Sequence, residues 1–550
     1  MPHHPHDSTA TGENAKTKSM ERGKACYNCR RRKMRCDGLQ PVCGPCERAD
    51  RHDDCEYTYH GGRARAEILQ ESINRLESRI QELEHPHLVL PHMTVKLQQP
   101  YTKATGVSFG ISATAIYLHT FDLTVDSSPL QEPPFDVIAK LVDCFLSYAS
   151  EVGFFLNATR FKDSAILNHP LNSSSRPCPA LLFCVYLWGV RFSKNPQLMA
   201  RESQLLSSAL ELTSTALSGL HPQRVMHTLQ AEVLLAHYFF ASGRFLEGKY
   251  HTASAISLAL SSGLHLIRSK KAHNAYGRLS APRDIIEEGE QIHACWAVMI
   301  LDKTWAVALS EDAHHDLQNS SCCIDSPWPL EWDEYEQGRM ETNSRYENTV
   351  DKFLDGSPTS DSGTSTVALL SKAALLLQRS NKLARQVRPD MSPTEIATFQ
   401  SIFSAHDALI DSFHSTLISP HSVHNPTPAK LRALLLVHSF IHAATLQLHA
   451  IPPLQHNGAS RAKRRAASQG ILGVVLAFPA QLTDYVNPVI GTMWTGAFQE
   501  FIEGPYDLGD STTHVRTLLG RALDAIRPFK ATCPLLSYQI AAIEDACGTL

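Results

Sequence analysis

The chain lacks several things whose absence narrows its function. No apolar run reaches the roughly 18 residues needed to span a bilayer, and LLFCVYLWGV at 181–190 is short enough to be a core helix segment. The opening MPHHPHDSTATGENAKTK has no apolar h-region, so neither a secretory signal nor an oxidising compartment is expected. Its His3, His4 and His6 make a weak metal-binding tract at most. No Gly-rich phosphate loop, Ser/His/Asp grouping or metal-spaced acid cluster supports an enzyme. Strand-like alternation is nearly missing, so an all-α fold is expected.

Cysteine is sparse except in one window. Of 14 cysteines, Cys144, Cys178, Cys184, Cys295, Cys322, Cys323, Cys533 and Cys547 are scattered or adjacent without ligand spacing, and read as reduced thiols. Cys26, Cys29, Cys36, Cys43, Cys46 and Cys55 are spaced Cys-x2-Cys-x6-Cys-x6-Cys-x2-Cys-x8-Cys. Cysteines three apart on a helical turn bring two thiolates to one tetrahedral zinc. Two zincs need eight ligand positions and six sulfurs are present, so two thiolates must bridge. Three disulfides would need the oxidising compartment already set aside, and iron–sulfur sites use other spacings.

The first x6 gap reads RRRKMR. Residues 16–36 carry nine Lys/Arg and one acid, a net +8; the whole chain is −4, which leaves −12 elsewhere. A basic stripe on an acidic body is an electrostatic footprint for nucleic acid. A localisation signal alone is the plainer reading of such a run.

CYNCRRRKMRCDGLQPVCGPCERADRHDDC closely resembles the fungal Zn2Cys6 binuclear-cluster transcription regulators, matching all six cysteines, the basic first half, Asp37-Gly38 and Pro41. The resemblance implies two zinc ions bridged by Cys26 and Cys43. It also implies base reading by Lys33, with Arg30, Arg31, Arg32 and Arg35 on bases or phosphates.

After the Gly61-Gly62 joint, Ala66, Leu69, Ile73, Leu76, Ile80 and Leu83 fall on a and d of nearly three heptads. Ile at a and Leu at d favour a parallel two-stranded coiled coil, with Arg79 facing Glu84 of the partner chain, and Pro86 ends the helix. An amphipathic helix packed on its own domain is the alternative. A homodimer through Leu69, Ile73, Leu76, Ile80 and Leu83 is the expectation. It would pair two clusters and set the half-site spacing.

The body is expected to be helical, in two subdomains. Helices are read at Phe135–Tyr148, in a pair over 228–267 broken at Ser242-Gly243 and stopped at Gly263, at 367–385 and at 431–450. Segments 141–161, 261–269 and 287–309 resemble the fungal-specific transcription factor (middle homology) domain, with Trp296 and Asp302 matching its acidic–aromatic–aspartate helix. The chain departs from that pattern at Ser310-Glu311-Asp312-Ala313. His438, His442 and His449 are read as core histidines, RAKRR (461–465) as a solvated helix face, and DGSPTSDSGTST as a plain surface loop rather than a phosphorylation switch.

The domain reading is a disordered leader 1–21, zinc cluster 22–57, joint 58–65, coiled coil 66–85, linker 86–135, helical domain 136–345, low-complexity loop 346–366 and C-terminal helical part 367–550. The resulting expectation is a nuclear regulator of RNA polymerase II transcription. It would bind double-stranded DNA at CGG-like triplets and engage transcription co-regulators, without a membrane and without catalysis. A zinc-dependent protein-interaction module, or an enzyme with an accessory cluster, are the alternatives.

Overall fold

The computed structural model describes residues 25–52, 55 and 57, and 132–548 apart from 272–278, 315–322, 342–343, 359–360, 420–421, 423–426, 452–456, 478–483 and 504–510. The leader, the Gly61-Gly62 joint, the predicted coiled coil 66–85 and most of the linker lie outside the described residues. The chain divides into two compact units, 1–125 and 126–550.

In the first unit two one-turn helices, α1 (Tyr27–Arg31) and α2 (Gly44–Glu47), begin at Cys26 and Cys43. In the second unit the regular elements among the described residues are helices, and its only strand-like pairing there is one bridge between Ser269 and Tyr346. The all-α expectation holds.

Helix α3 (Phe135–Leu146) starts after Pro134 and buries Ile138, Leu141, Val142 and Phe145, the apolar face its spacing predicts. Before it, Glu132 is held by the buried Arg176. Helix α4 (Pro179–Ser193) is buried over Ala180–Val190 because α3, α5 (Glu202–Thr215) and α6 (Arg224–Ala241) pack around it. An all-round apolar helix belongs at such a centre. Gly189 lets α3 and α4 meet: a Cβ there would lie 2.4 Å from the Leu141 carbonyl oxygen. Gly189→Ala is therefore expected to cost about 1–3 kcal/mol through forced separation of the two helices, read as a lowered urea midpoint.

Helices α6 and α7 (Phe245–Ser261) form the predicted hairpin, turning at Gly243 (φ 72°), and Gly263 (φ 76°) ends the second helix. Helix α8 (Ile285–Ala308) is capped by Asp284, whose carboxylate accepts from the Ile286 and Glu287 amides. It packs on α9 (Thr366–Gln386). Helix α10 (Pro393–Thr416) carries a capping box, Ser392 with Glu395, and packs on α11 (Pro428–His449), which also meets α9. Helix α12 (Gly458–Leu476) follows, then α13 (Ile490–Glu503).

These pairings run a single apolar core from Ile138 to Ile543. The two expected subdomains are therefore one body, because the α8–α9–α11 stack bridges the halves.

Two further expectations are corrected. The 346–366 stretch, expected as a low-complexity loop, opens with a helix, Thr349–Leu354, and the described residues of DGSPTSDSGTST form a loop that is anchored rather than plain. There the Asp361 carboxylate accepts from the Trp328 amide, and Lys372 Nζ donates to the Ser362 and Gly363 carbonyls. Ser365 is buried and donates its hydroxyl to Pro329. Within RAKRR, Lys463 bridges Asp407 and Asp411 and Arg464 pairs with Glu500, so this face is anchored rather than merely solvated.

Helix α11, by contrast with the sequence expectation, is long and apolar enough to cross a membrane by length and composition. It is mostly buried between other helices and carries the buried Arg432, as a core helix does.

Candidate zinc centre and DNA-facing surface

All six cysteines of the cluster are buried, and every described cysteine is a free thiol. Cys26 Sγ lies 3.7 Å from Cys43 Sγ and 3.7 Å from Cys46 Sγ, while Cys29 Sγ lies 3.5 and 3.9 Å from the same two atoms. A disulfide would need about 2.0 Å. Two sulfurs bound to one tetrahedral zinc stand about 3.8 Å apart, so the donor set fits zinc. Cys36 joins at Cys43, and the Cys43 amide donates to Cys55 Sγ at 3.2 Å. These six cysteines would hold a binuclear zinc cluster, which would supply divalent charge to their sulfurs.

That charge answers a real cost. Burial pushes the Cys26 thiol far above its ordinary range and Cys29 up to about 12. Metal coordination reverses this by favouring the thiolate. N–H donors assist: the Cys29 amide points at Cys26 Sγ (3.4 Å) and Asn28 Nδ2 at Cys46 Sγ (3.3 Å).

Each half repeats one local design. Cys26 and Cys43 stand just before a helical turn that carries Cys29 or Cys46. Each turn ends on a left-handed residue, Lys33 (φ 54°) or Asp50 (φ 49°). The following amides, of Met34 and Arg51, close back on Cys29 and Cys46 at 2.9 Å. This is the Schellman closure.

Charge separates the halves: the first turn reads Arg30, Arg31, Arg32, Lys33 and Arg35, all exposed, while the second mixes Arg48 and Arg51 with Glu47 and Asp50. Arg30 also donates to the Ala25 carbonyl. Only the first half presents an unbroken cationic surface.

Two contacts escaped sequence reading. Both Asp37 carboxylate oxygens accept from the Gly44 amide (3.1 and 2.9 Å), and a Cβ on Gly44 would come 2.5 Å from one of them. Tyr57 donates to the Leu39 carbonyl at 3.0 Å and lies 3.6 Å from Cys36 Sγ. Gly44, just after the first cysteine of the second Cys-x2-Cys, was a visible signal for the first; nothing in the spacing marked Tyr57. The proposed dimer residues Leu69, Ile73, Leu76, Ile80 and Leu83 lie outside the described residues.

The body adds a cavity of about 460 Å³, lined among others by Phe155, Trp332, Phe440 and Lys430. His237 lines it, is buried, and has no hydrogen-bond partner among the described residues; burial pushes its imidazole down to about 3.

A buried thiolate cluster beside an exposed cationic turn, joined to a large helical body, defines a zinc-dependent nucleic-acid-binding regulator. Residues 24–63 match the family described as the fungal Zn(2)-Cys(6) binuclear cluster domain. Residues 142–420, just over half of the chain, match the fungal specific transcription factor domain. The chain belongs to the fungal zinc-cluster transcription factors. No curated protein and no solved structure gives a significant match.

Proposed function

We propose that this regulator reads CGG-like triplets in the major groove as a homodimer, acting in the nucleus on RNA polymerase II genes. In this reading Cys26, Cys29, Cys36 and Cys43 hold one zinc, and Cys43, Cys46, Cys55 and Cys26 hold the other. Lys33 donates to guanine N7 and O6, while Arg30, Arg31, Arg32 and Arg35 engage neighbouring bases or phosphates. Leu69, Ile73, Leu76, Ile80 and Leu83 pair two chains, and the helical body receives co-regulators. No catalytic step is assigned to the chain.

The observation that carries this reading is the exposed cationic run closing α1, set directly against the buried thiol cluster. The second half supports it by contrast, since Asp50 occupies the place of Lys33.

Lys33→Ala tests the base contact cleanly, because Lys33 already carries the left-handed backbone cost and Ala adds none. Specific affinity should fall by about 10- to 100-fold, the worth of one good base contact. Non-specific affinity should fall much less. Equal losses on cognate and scrambled DNA, in titrations at matched salt, would remove Lys33 from base reading.

A further inference from the structure

Helix α10 brings His414 to the two histidines that the sequence already set one turn apart on α11. His438 and His442 stand one turn apart on α11, and His414 arrives from the end of α10. One ring nitrogen from each lies within 4.8 Å of the other two. Ring centroids are 4.9 Å apart for His414–His442 and 6.0 Å for His414–His438, with planes at 71° and 80°. Imidazoles on one tetrahedral ion, bonded at about 2.0–2.1 Å, need such splayed rings and similar separations. We propose that His414, His438 and His442 form a transition-metal site, separate from the cysteine cluster, with Zn²⁺ as its ion.

The hydrogen bonds leave the ligands available. His438 Nε2 donates to the Ile418 carbonyl at 3.1 Å, which leaves the lone pair on Nδ1. That is the outer contact by which metal-binding histidines are oriented. The side chains of His414 and His442 make no hydrogen bond among the described residues.

The cradle of His442 is built for a flat ring. A Cβ on Gly470 of α12 would lie 2.4–2.6 Å from its Cε1, Nε2 and Nδ1. Glycine inside a helix costs about 0.5–1 kcal/mol relative to Ala, and here it makes room for the imidazole.

The donor set selects the ion. Three nitrogens and no carboxylate among the described ligands suit Zn²⁺, and with it Ni²⁺ or Cu²⁺, rather than Mg²⁺ or Ca²⁺. Three protein ligands leave a fourth position for water or an outside donor. His414 is exposed, which gives an entry route. The bound ion ties the end of α10 to the middle of α11.

The test counts zinc in the full-length chain, saturated with the metal alone, desalted and measured by atomic emission. Three ions per chain are expected. His414→Ala, at an exposed position that leaves the core alone, should return two and keep specific DNA binding. Gly470→Ala should also return two with all three histidines intact, by displacing His442. Affinity for the third ion should drop by more than about 100-fold in either variant, beyond the usual effect of outer contacts.

Two ions in the wild-type chain at saturation, or three in the double variant His414→Ala/His442→Ala, would overturn the site. One ion in the wild type, lost in His414→Ala, would uphold it while bringing down the cysteine cluster. The two readings therefore fail separately.

Discussion

Cys43→Ser is expected to abolish specific DNA binding, with affinity for a cognate site falling at least to the non-specific level. Cys43 sits at the centre of the cluster: its sulfur is 3.7 Å from Cys26 and 3.5 Å from Cys29, and its amide donates to Cys55. Among the described residues, the partly buried apolar side chains packed against the six sulfurs are just Ala25, Val42 and Tyr57. Metal binding, worth about 10–16 kcal/mol in small zinc modules, therefore supplies most of the folding free energy there. Treating the wild type with a strong chelator should reproduce the loss, and returning zinc should reverse it.

The body, a separate compact unit with its own core, should keep its thermal transition in both cases. Fluorescence anisotropy with labelled DNA, run beside circular dichroism, separates the two effects. A Cys43→Ser protein that kept zinc content and specific affinity would show that the cluster is not the DNA-reading element.

Asp302→Ala is expected to be the most damaging single change in the body, costing about 3–5 kcal/mol, the usual result of stripping a buried charge of its partner. Lys303 is fully buried, and its Nζ lies 2.9 Å from Asp302 Oδ2. The other carboxylate oxygen accepts from the His314 amide (2.9 Å) and stands 3.1 Å from His314 Nδ1. The resulting knot fastens the end of α8 to the segment that follows it. Asp302→Asn combined with Lys303→Met should recover part of the loss, because a neutral pair needs no counter-charge.

The same knot gives a pH signature. Burial alone would raise the Asp302 carboxyl, but hydrogen bonds from His314 and the Lys303 ammonium outweigh it and hold the group at about 2. A carboxyl depressed in the folded state contributes its full stability above the ordinary carboxylate range, near pH 4. That contribution is lost as the pH falls from there toward 2. Urea midpoints across this interval should fall more steeply in the wild type than in the Asp302→Asn/Lys303→Met variant. Parallel profiles would show that this carboxylate does not govern acid stability.

How far the sequence could be read differs by region for a physical reason. At the cluster, ligand spacing is local covalent geometry: a Cys-x2-Cys turn brings two sulfurs together whatever surrounds it. The same holds for the Ser242-Gly243 break, the Gly263 stop and the apolar face of α3, where glycine's left-handed freedom or helical periodicity acts over a few residues. Local signals failed where the surroundings decide. The 346–366 stretch read as loop, yet its start is the helix Thr349–Leu354, and Trp328 and Lys372 hold its later, looped part in place. The histidines of α11 looked like core, and only the packing of α10 adds His414 to them.

The sequence by itself determined an all-α chain with a zinc-binding cysteine cluster, and a concentration of positive charge within its first half. Each of these follows from residue type and spacing over about one or two helical turns. Tertiary structure alone decided that the body is one core rather than two and that Asp302 is locked by Lys303 and His314. It also placed His237 in a cavity lined by residues from Ser150 to Asn487. Those outcomes depend on which helix faces meet across hundreds of residues. The periodicity of a single helix says which side is apolar, but not what lies against it.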